Sequence, residues 1–312
     1  SRVFLLYARV SGVFMAGKIL VIDSVMPNRI ILKVKLSGAG YGVLIAASGR
    51  EGLEIALHER PDLVIIDMDL PDMPAEVVMS KLHSVASLEH ALVIMASAQT
   101  DLETRLRAFA AGADDFFAKP FVETMLLARI RSLFRVDEQL RLLSAQSDAQ
   151  LSHDIAHEGF ADAGSAFVMP STIVIVGKAD DAMRLKRKLP DQKYIDVLHC
   201  AHETAMNGTA LPFEECDIVV ILSDTKDPNE AFRQIATLRG RPQTRDARFC
   251  VHFEMDSRAS DRELAYDFGA DAVFLADDDA QEMGLRLSGL LKRKHRADAL
   301  RDRITTGLML SM

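Results

Sequence analysis

KILVIDS, residues 18–24, is an apolar run that stops on a carboxylate and a hydroxyl. A strand covered on both faces needs continuous rather than alternating apolar residues. Runs of strand length follow at 43–47 (VLIAA), 63–66 (LVII), 92–96 (LVIMA) and 115–118 (DFFA). Between them lie segments of helical period such as SGREGLEIALHER (48–60) and DLETRLRAFAAGA (101–113). Strands alternating with helices predict a parallel sheet with helices on both sides, the doubly wound α/β class.

The pattern then repeats. Ile173–Val176 parallels Ile19–Ile22, CDIVVIL (216–222) parallels PDLVIID (61–67), and FGADAVFLA (268–276) parallels AGADDFFAK (111–119). Offsets of 154 to 157 residues are steady and too long for a solenoid, so two domains of one fold are expected. The 312 residues suffice for about two domains of ordinary size. We expect a non-native extension over 1–14, a first domain over 15–135, a helical extension and linker over 136–170, a second domain over 171–294, and a connecting helix over 295–312 that leads toward a further domain. His153 and His157, one helical turn apart in the linker, have no companion acid or thiol and read as exposed helix residues rather than metal ligands.

Composition narrows the function. Apolar residues at 49% and charged residues at 26% are those of a globular soluble chain. A net charge of −8, no Trp and four Tyr argue against a nucleic-acid surface, which needs cations and stacking platforms. Arg9 and Lys18 interrupt the apolar opening, leaving no span of roughly 20 residues for a membrane. Cys200, Cys216 and Cys250, odd in number and without CxxC spacing, indicate neither disulfides nor a thiolate metal cage and fit a reducing cytoplasm.

In an open parallel sheet, functional groups collect beyond the carboxyl ends of the strands. Those positions hold Asp23 and Ser24, Asp67, Ser97 and Lys119. A carboxylate is one of the groups that forms covalent phosphoryl intermediates, so Asp67 is a candidate nucleophile. Its repulsion from an anionic donor is relieved by Mg²⁺ held by one or two carboxylates, by the Lys119 ammonium, and by a hydrogen bond from the Ser97 hydroxyl.

These segments resemble response-regulator receiver domains of the CheY-like, flavodoxin-like fold. KILVIDS, PDLVIIDMDLPDM, LVIMASA and GADDFFAKPF occur in that family's order and approximate spacing over about Gly17–Arg135. The resemblance implies that Asp67 accepts phosphate from a sensor histidine kinase or phosphotransfer protein. It implies that Asp23, Asp67 and the Asp69 carbonyl hold Mg²⁺, that Ser97 and Phe116 form the switch, that Lys119 binds phosphate, and that Lys119–Pro120 is cis. Two departures stand out. Ser24 replaces the usual second acid, which weakens the metal site unless the Asp69 side chain compensates, and MPAE (73–76) replaces the common Met-Asp-Gly.

The repeat carries Gly177 and Lys178 for the acidic pair, Leu222 for the acceptor, Glu254 for the hydroxyl, and Ala276 for the lysine, so its chemistry is gone. An intact receiver, a degenerate receiver and an outgoing helix resemble the amino-terminal half of PleD-type diguanylate cyclases, in which phosphorylation drives homodimerisation and pairs two GGDEF output domains. No GGDEF motif occurs here, so the chain is not itself expected to be an enzyme beyond weak autodephosphorylation. The alternative is a phosphorylation-independent pseudo-receiver scaffold, which Ser24 favours. A small doubly wound hydrolase lacks a nucleophile and base pair.

Overall fold

Leu63 to Asp67 and Leu92 to Ser97 are buried at every position, as strands covered on both faces must be. A computed structural model describes residues 17–89, 91–151, 170–190, 194–207, 216–224 and 227–310. The expectations for residues 1–14 and for His153 and His157 lie outside the described residues. The chain divides into two units after Leu127.

In the first unit the strands are β1 (Lys18–Ile22), β2 (Gly42–Ala46), β3 (Leu63–Asp67), β4 (Leu92–Ser97) and β5 (Asp115–Ala118), all parallel, in the order β2-β1-β3-β4-β5. Helices α1 (Met26–Gly38), α2 (Gly49–Glu59), α3 (Ala75–His83) and α4 (Leu102–Ala111) connect them. Local chemistry sets their ends. Ser48 caps α2 by accepting from the Glu51 N–H, and Asp101 caps α4 by accepting from the Thr104 N–H at 2.9 Å. Gly112 closes α4 at φ 101°, where a side chain would be strained. Leu20, Ile22, Val64, Ile66, Val93 and Met95 form the core under α2, α3 and α4.

The second unit has the same plan. Strands β6 (Ser171–Val176), β7 (Ile195–Cys200), β8 (Ile218–Leu222), β9 (Arg248–Phe253) and β10 (Ala272–Leu275) form a parallel sheet in the order β10-β9-β8-β6-β7, the first unit's order read from the other edge. Its helices are α6 (Ala179–Lys188), α7 (His202–Asn207), α8 (Pro228–Arg239), α9 (Ala259–Asp267) and α10 (Ala280–Leu310). The two doubly wound α/β folds in tandem are thus as the repeat predicts. The likeness extends to polar detail: Asp114 accepts from the Val93 N–H and Asp271 from the Phe249 N–H, each bracing the penultimate strand.

Helix α5 (Glu123–Leu151) runs without a break through residue 135, where the sequence suggested a boundary. From Ala128 onward it belongs to the second unit, where Ser132 Oγ donates to Ala270 O at 2.7 Å and Arg131 pairs with Asp267 at 2.7 Å. Likewise α10 continues through 294/295 without interruption. Among the described residues no helix is long and apolar enough to cross a membrane, and all three cysteines are free and buried.

Candidate functional site

Because all five strands of the first sheet run the same way, their carboxyl ends share one edge, and the order places β1 beside β3 and β3 beside β4. Asp23 follows β1, Asp67 ends β3, Ser97 ends β4 and Lys119 follows β5. Residues separated by up to 96 positions therefore meet. Lys119 Nζ lies 2.7 Å from Asp23 Oδ2 and 2.8 Å from Asp67 Oδ1. Asp23 and Asp67 are 2% and 4% exposed. Two carboxylates held this far from solvent repel each other, and the shared ammonium offsets that repulsion.

Their oxygens are not equally engaged. Asp23 Oδ1 accepts from the Val25 N–H at 2.8 Å, and both its oxygens face the Asn28 amide, at 3.4 and 3.1 Å. Asp67 Oδ1 also receives the Asp69 N–H at 3.3 Å. Asp67 Oδ2 has no partner among the described residues, and it is absent from the enclosed polar atoms lacking one, so it reaches solvent. An uncommitted carboxylate oxygen is what nucleophilic attack on an incoming group requires.

The other predicted residues fall as follows. Ser97 is buried and its Oγ accepts from the Gln99 N–H at 3.0 Å, which shapes the loop after β4. Phe116 packs against the core from β5. The Lys119–Pro120 peptide bond is cis. Asp69 is exposed, and Ser24 is exposed with no side-chain hydrogen bond among the described residues. Arg29 donates to the Ser24 and Asp23 carbonyls at 2.9 and 2.5 Å, bringing a cation to the place where the usual second acid would stand. No group of three or more His, Cys, Asp or Glu side chains gathers for a metal among the described residues. Asp23 and Asp67 still supply the one or two hard carboxylates that Mg²⁺ uses with water and phosphate oxygens.

The family described as the response regulator receiver domain matches residues 19–131. Residues 19–131 are a response regulator receiver domain. Across 304 residues, 96% of this chain, the similarity extends to the response regulator PleD of Caulobacter vibrioides at 27% identity. The chain spans 64% of that relative's length. The transcriptional regulatory protein KdpE of Mycobacterium tuberculosis is 38% identical over 117 residues, 38% of this chain and 50% of its own. Among solved structures, chemotaxis response regulator CheY4 of Vibrio cholerae is 29% identical, covering 37% of this chain and 96% of its own, with a TM-score of 0.36.

Sequence reasoning missed three residues of this receiver domain's edge. Asn28 and Arg29 sit in the first turn of α1, five and six positions beyond Asp23, a spacing that returns a helix's first turn to the preceding strand end. Asp72 accepts from the Gly49 and Arg50 N–H groups, each at 2.9 Å, pinning the loop after Asp67 to the start of α2. Those backbone donors, Arg50 foremost, hold its carboxyl below the ordinary aspartate range. The signal was present in the PDM that closes PDLVIIDMDLPDM, quoted for its likeness to the family with no role given to Asp72.

Register also corrects one assignment in the second unit. Asp67 pairs with Ala96 and Leu222 with His252; Lys119 N–H donates to Ser97 O and Ala276 N–H to Phe253 O. Phe253, not Glu254, therefore takes the place of Ser97, because pairing fixes equivalence where counting along a loop slips by one. Gly177 and Leu222 stand for Asp23 and Asp67, and a Cβ at Gly177 would lie 2.7 Å from Leu222 Cδ1, so any side chain there requires Leu222 to move.

Proposed function

We propose that the chain is the phosphate-accepting input of a two-component system. A sensor histidine kinase or phosphotransfer protein presents a phosphohistidine, Asp67 Oδ2 attacks its phosphorus, the P–N bond breaks to return the imidazole, and an aspartyl phosphate remains. One observation carries this reading: a single ammonium bridges Asp23 and Asp67 while the second Asp67 oxygen stays uncommitted. Lys119 neutralises charge on the arriving phosphoryl oxygens, and Ser97 at the end of β4, with Phe116 on the adjacent strand β5 opposite Met95, responds to the new anion. Mg²⁺, held by Asp23, Asp67 and the Asp69 carbonyl, supplies charge neutralisation when bound.

The phosphorylated state favours a homodimer, and an output domain such as a GGDEF cyclase supplies the response; both rest on the resemblance to PleD. Three free, buried thiols accord with a cytoplasmic setting. Ser24 and Arg29 support a second reading, a pseudo-receiver scaffold that binds partners without phosphate.

Acetyl phosphate with Mg²⁺ followed by intact-mass measurement tests the choice. One phosphoryl group on the native chain and none on Asp67→Asn is expected; a native chain that stays unmodified overturns the proposal and leaves the scaffold. Separately, Ser24→Asp should tighten Mg²⁺ binding about tenfold by calorimetry, since a carboxylate is a better hard-cation ligand than a hydroxyl. An Asp69→Ala chain with unchanged Mg²⁺ affinity would rule out compensation by that side chain.

A further inference from the structure

The strand-end edge of the second unit has not closed over after losing its acids. A cavity of about 470 Å³ lies there, within the size range of small-molecule sites. Its chemistry is inverted relative to Asp67's surroundings. Gly177 and Leu222 remove both carboxylates, and Ala276 removes the lysine at the end of the last strand. A different lysine restores the cation: Lys188, from the last turn of α6, places its ammonium 2.6 Å from the Ala276 carbonyl.

Lys188 is half-buried and has no carboxylate partner among the described residues. The other charges on the wall are already matched. Lys178 pairs with Asp224 at 3.0 Å and Arg184 with Asp181, while Glu254 stands exposed at the rim, where solvent screens it. Two more donors line the cavity. Ser223 is 8% exposed and its hydroxyl has no hydrogen-bond partner, an arrangement that leaves a buried donor waiting for an acceptor. His252, from β9, makes no side-chain hydrogen bond among the described residues.

We propose that this cavity binds a small phosphorylated molecule, its phosphoryl group held by Lys188, Ser223 and His252. An ammonium, a hydroxyl and an imidazole lining one cavity, none of them bound to an acid, suit a tetrahedral oxyanion, while of the lining carboxylates Asp181 and Asp224 are paired with Arg184 and Lys178 and Glu254 is exposed. The remaining volume accommodates the body of the molecule. The site is independent of whether Asp67 accepts phosphate, and it gives the degenerate unit a sensory role of its own.

Burial, with Lys188 close by, lowers the His252 pKa to about 4, against which Asp278 and Asp181 act weakly. A bound dianion favours the imidazolium, so the ring reports occupancy. Histidine-labelled full chain, with the His252 signals assigned through His252→Gln, is titrated with inorganic phosphate and separately with citrate. Saturable movement of the His252 signals by phosphate is expected, with a raised midpoint in its pH titration. Lys188→Gln should weaken phosphate about tenfold or more, the worth of a charge-assisted hydrogen bond, and Ser223→Ala severalfold. Unmoved His252 signals at millimolar phosphate, an affinity that neither substitution changes, or a response to citrate alone overturns the proposal.

Discussion

Lys119→Met should destabilise the receiver domain by about 3 kcal/mol in the presence of chelator, the size of effect seen when one member of a buried ion cluster is removed. Asp23 and Asp67 are almost fully buried, and the ammonium 2.7 and 2.8 Å away serves both. Without it the two carboxylates face each other with no cation between them, and like charges held this far from solvent destabilise the fold that confines them. Added Mg²⁺ repairs part of the defect by binding only the folded site. Hydrogen exchange resolved over residues 17–127 measures this in the intact chain. Exchange that matches the native chain in the presence of chelator would mean that the acids are separated from each other in solution.

The fold was legible because strands covered on both faces leave an unmistakable trace. LVIID and IVVIL need no partner to be recognised, since only an interior between two helical layers tolerates such runs. Convergence of Asp23, Asp67, Ser97 and Lys119 followed from topology: once the strands are parallel and ordered, their ends have nowhere else to go. What stayed hidden depends on partners remote in sequence. A helical period over 121–135 says nothing of where a unit ends, because the contacts that claim Ser132 and Arg135 come from Ala270 and Tyr266. Nor does any pattern bring Lys188 to Ala276; the pairing of β9 and β10 and the length of α6 do that together. Glu254 was mistaken for the Ser97 equivalent for the same reason, since register is a property of the sheet and not of the strand.

The second unit is held together in part by an acid that performs no chemistry. Asp271→Ala should cost that unit about 3–5 kcal/mol and leave the receiver domain's stability unchanged. Asp271 is 2% exposed; its Oδ2 accepts from the Phe249 N–H and from Arg239 Nη2, both at 2.7 Å, and its carbonyl accepts from Arg129. Arg239 also lies over the Phe249 ring, 4.7 Å from its centroid, which fixes the guanidinium against β9. Around them Arg135 and Arg248 have their pKa lowered by burial first, and Asp271 is the largest influence in the opposite direction for each. One carboxylate thus offsets the desolvation of several guanidinium groups, and the Nε atoms of Arg135 and Arg248 already lack partners. Removing it leaves like charges confined together, a worse outcome than the loss of two hydrogen bonds. Asp271→Asn separates the contributions: its amide oxygen keeps the Phe249 bond, so a cost close to that of alanine assigns the loss to charge, and a cost near zero assigns it to the hydrogen bond. Exchange over residues 227–310 against residues 17–127 reads both variants. Equal destabilisation of the two units would contradict the confinement of this cluster to the second.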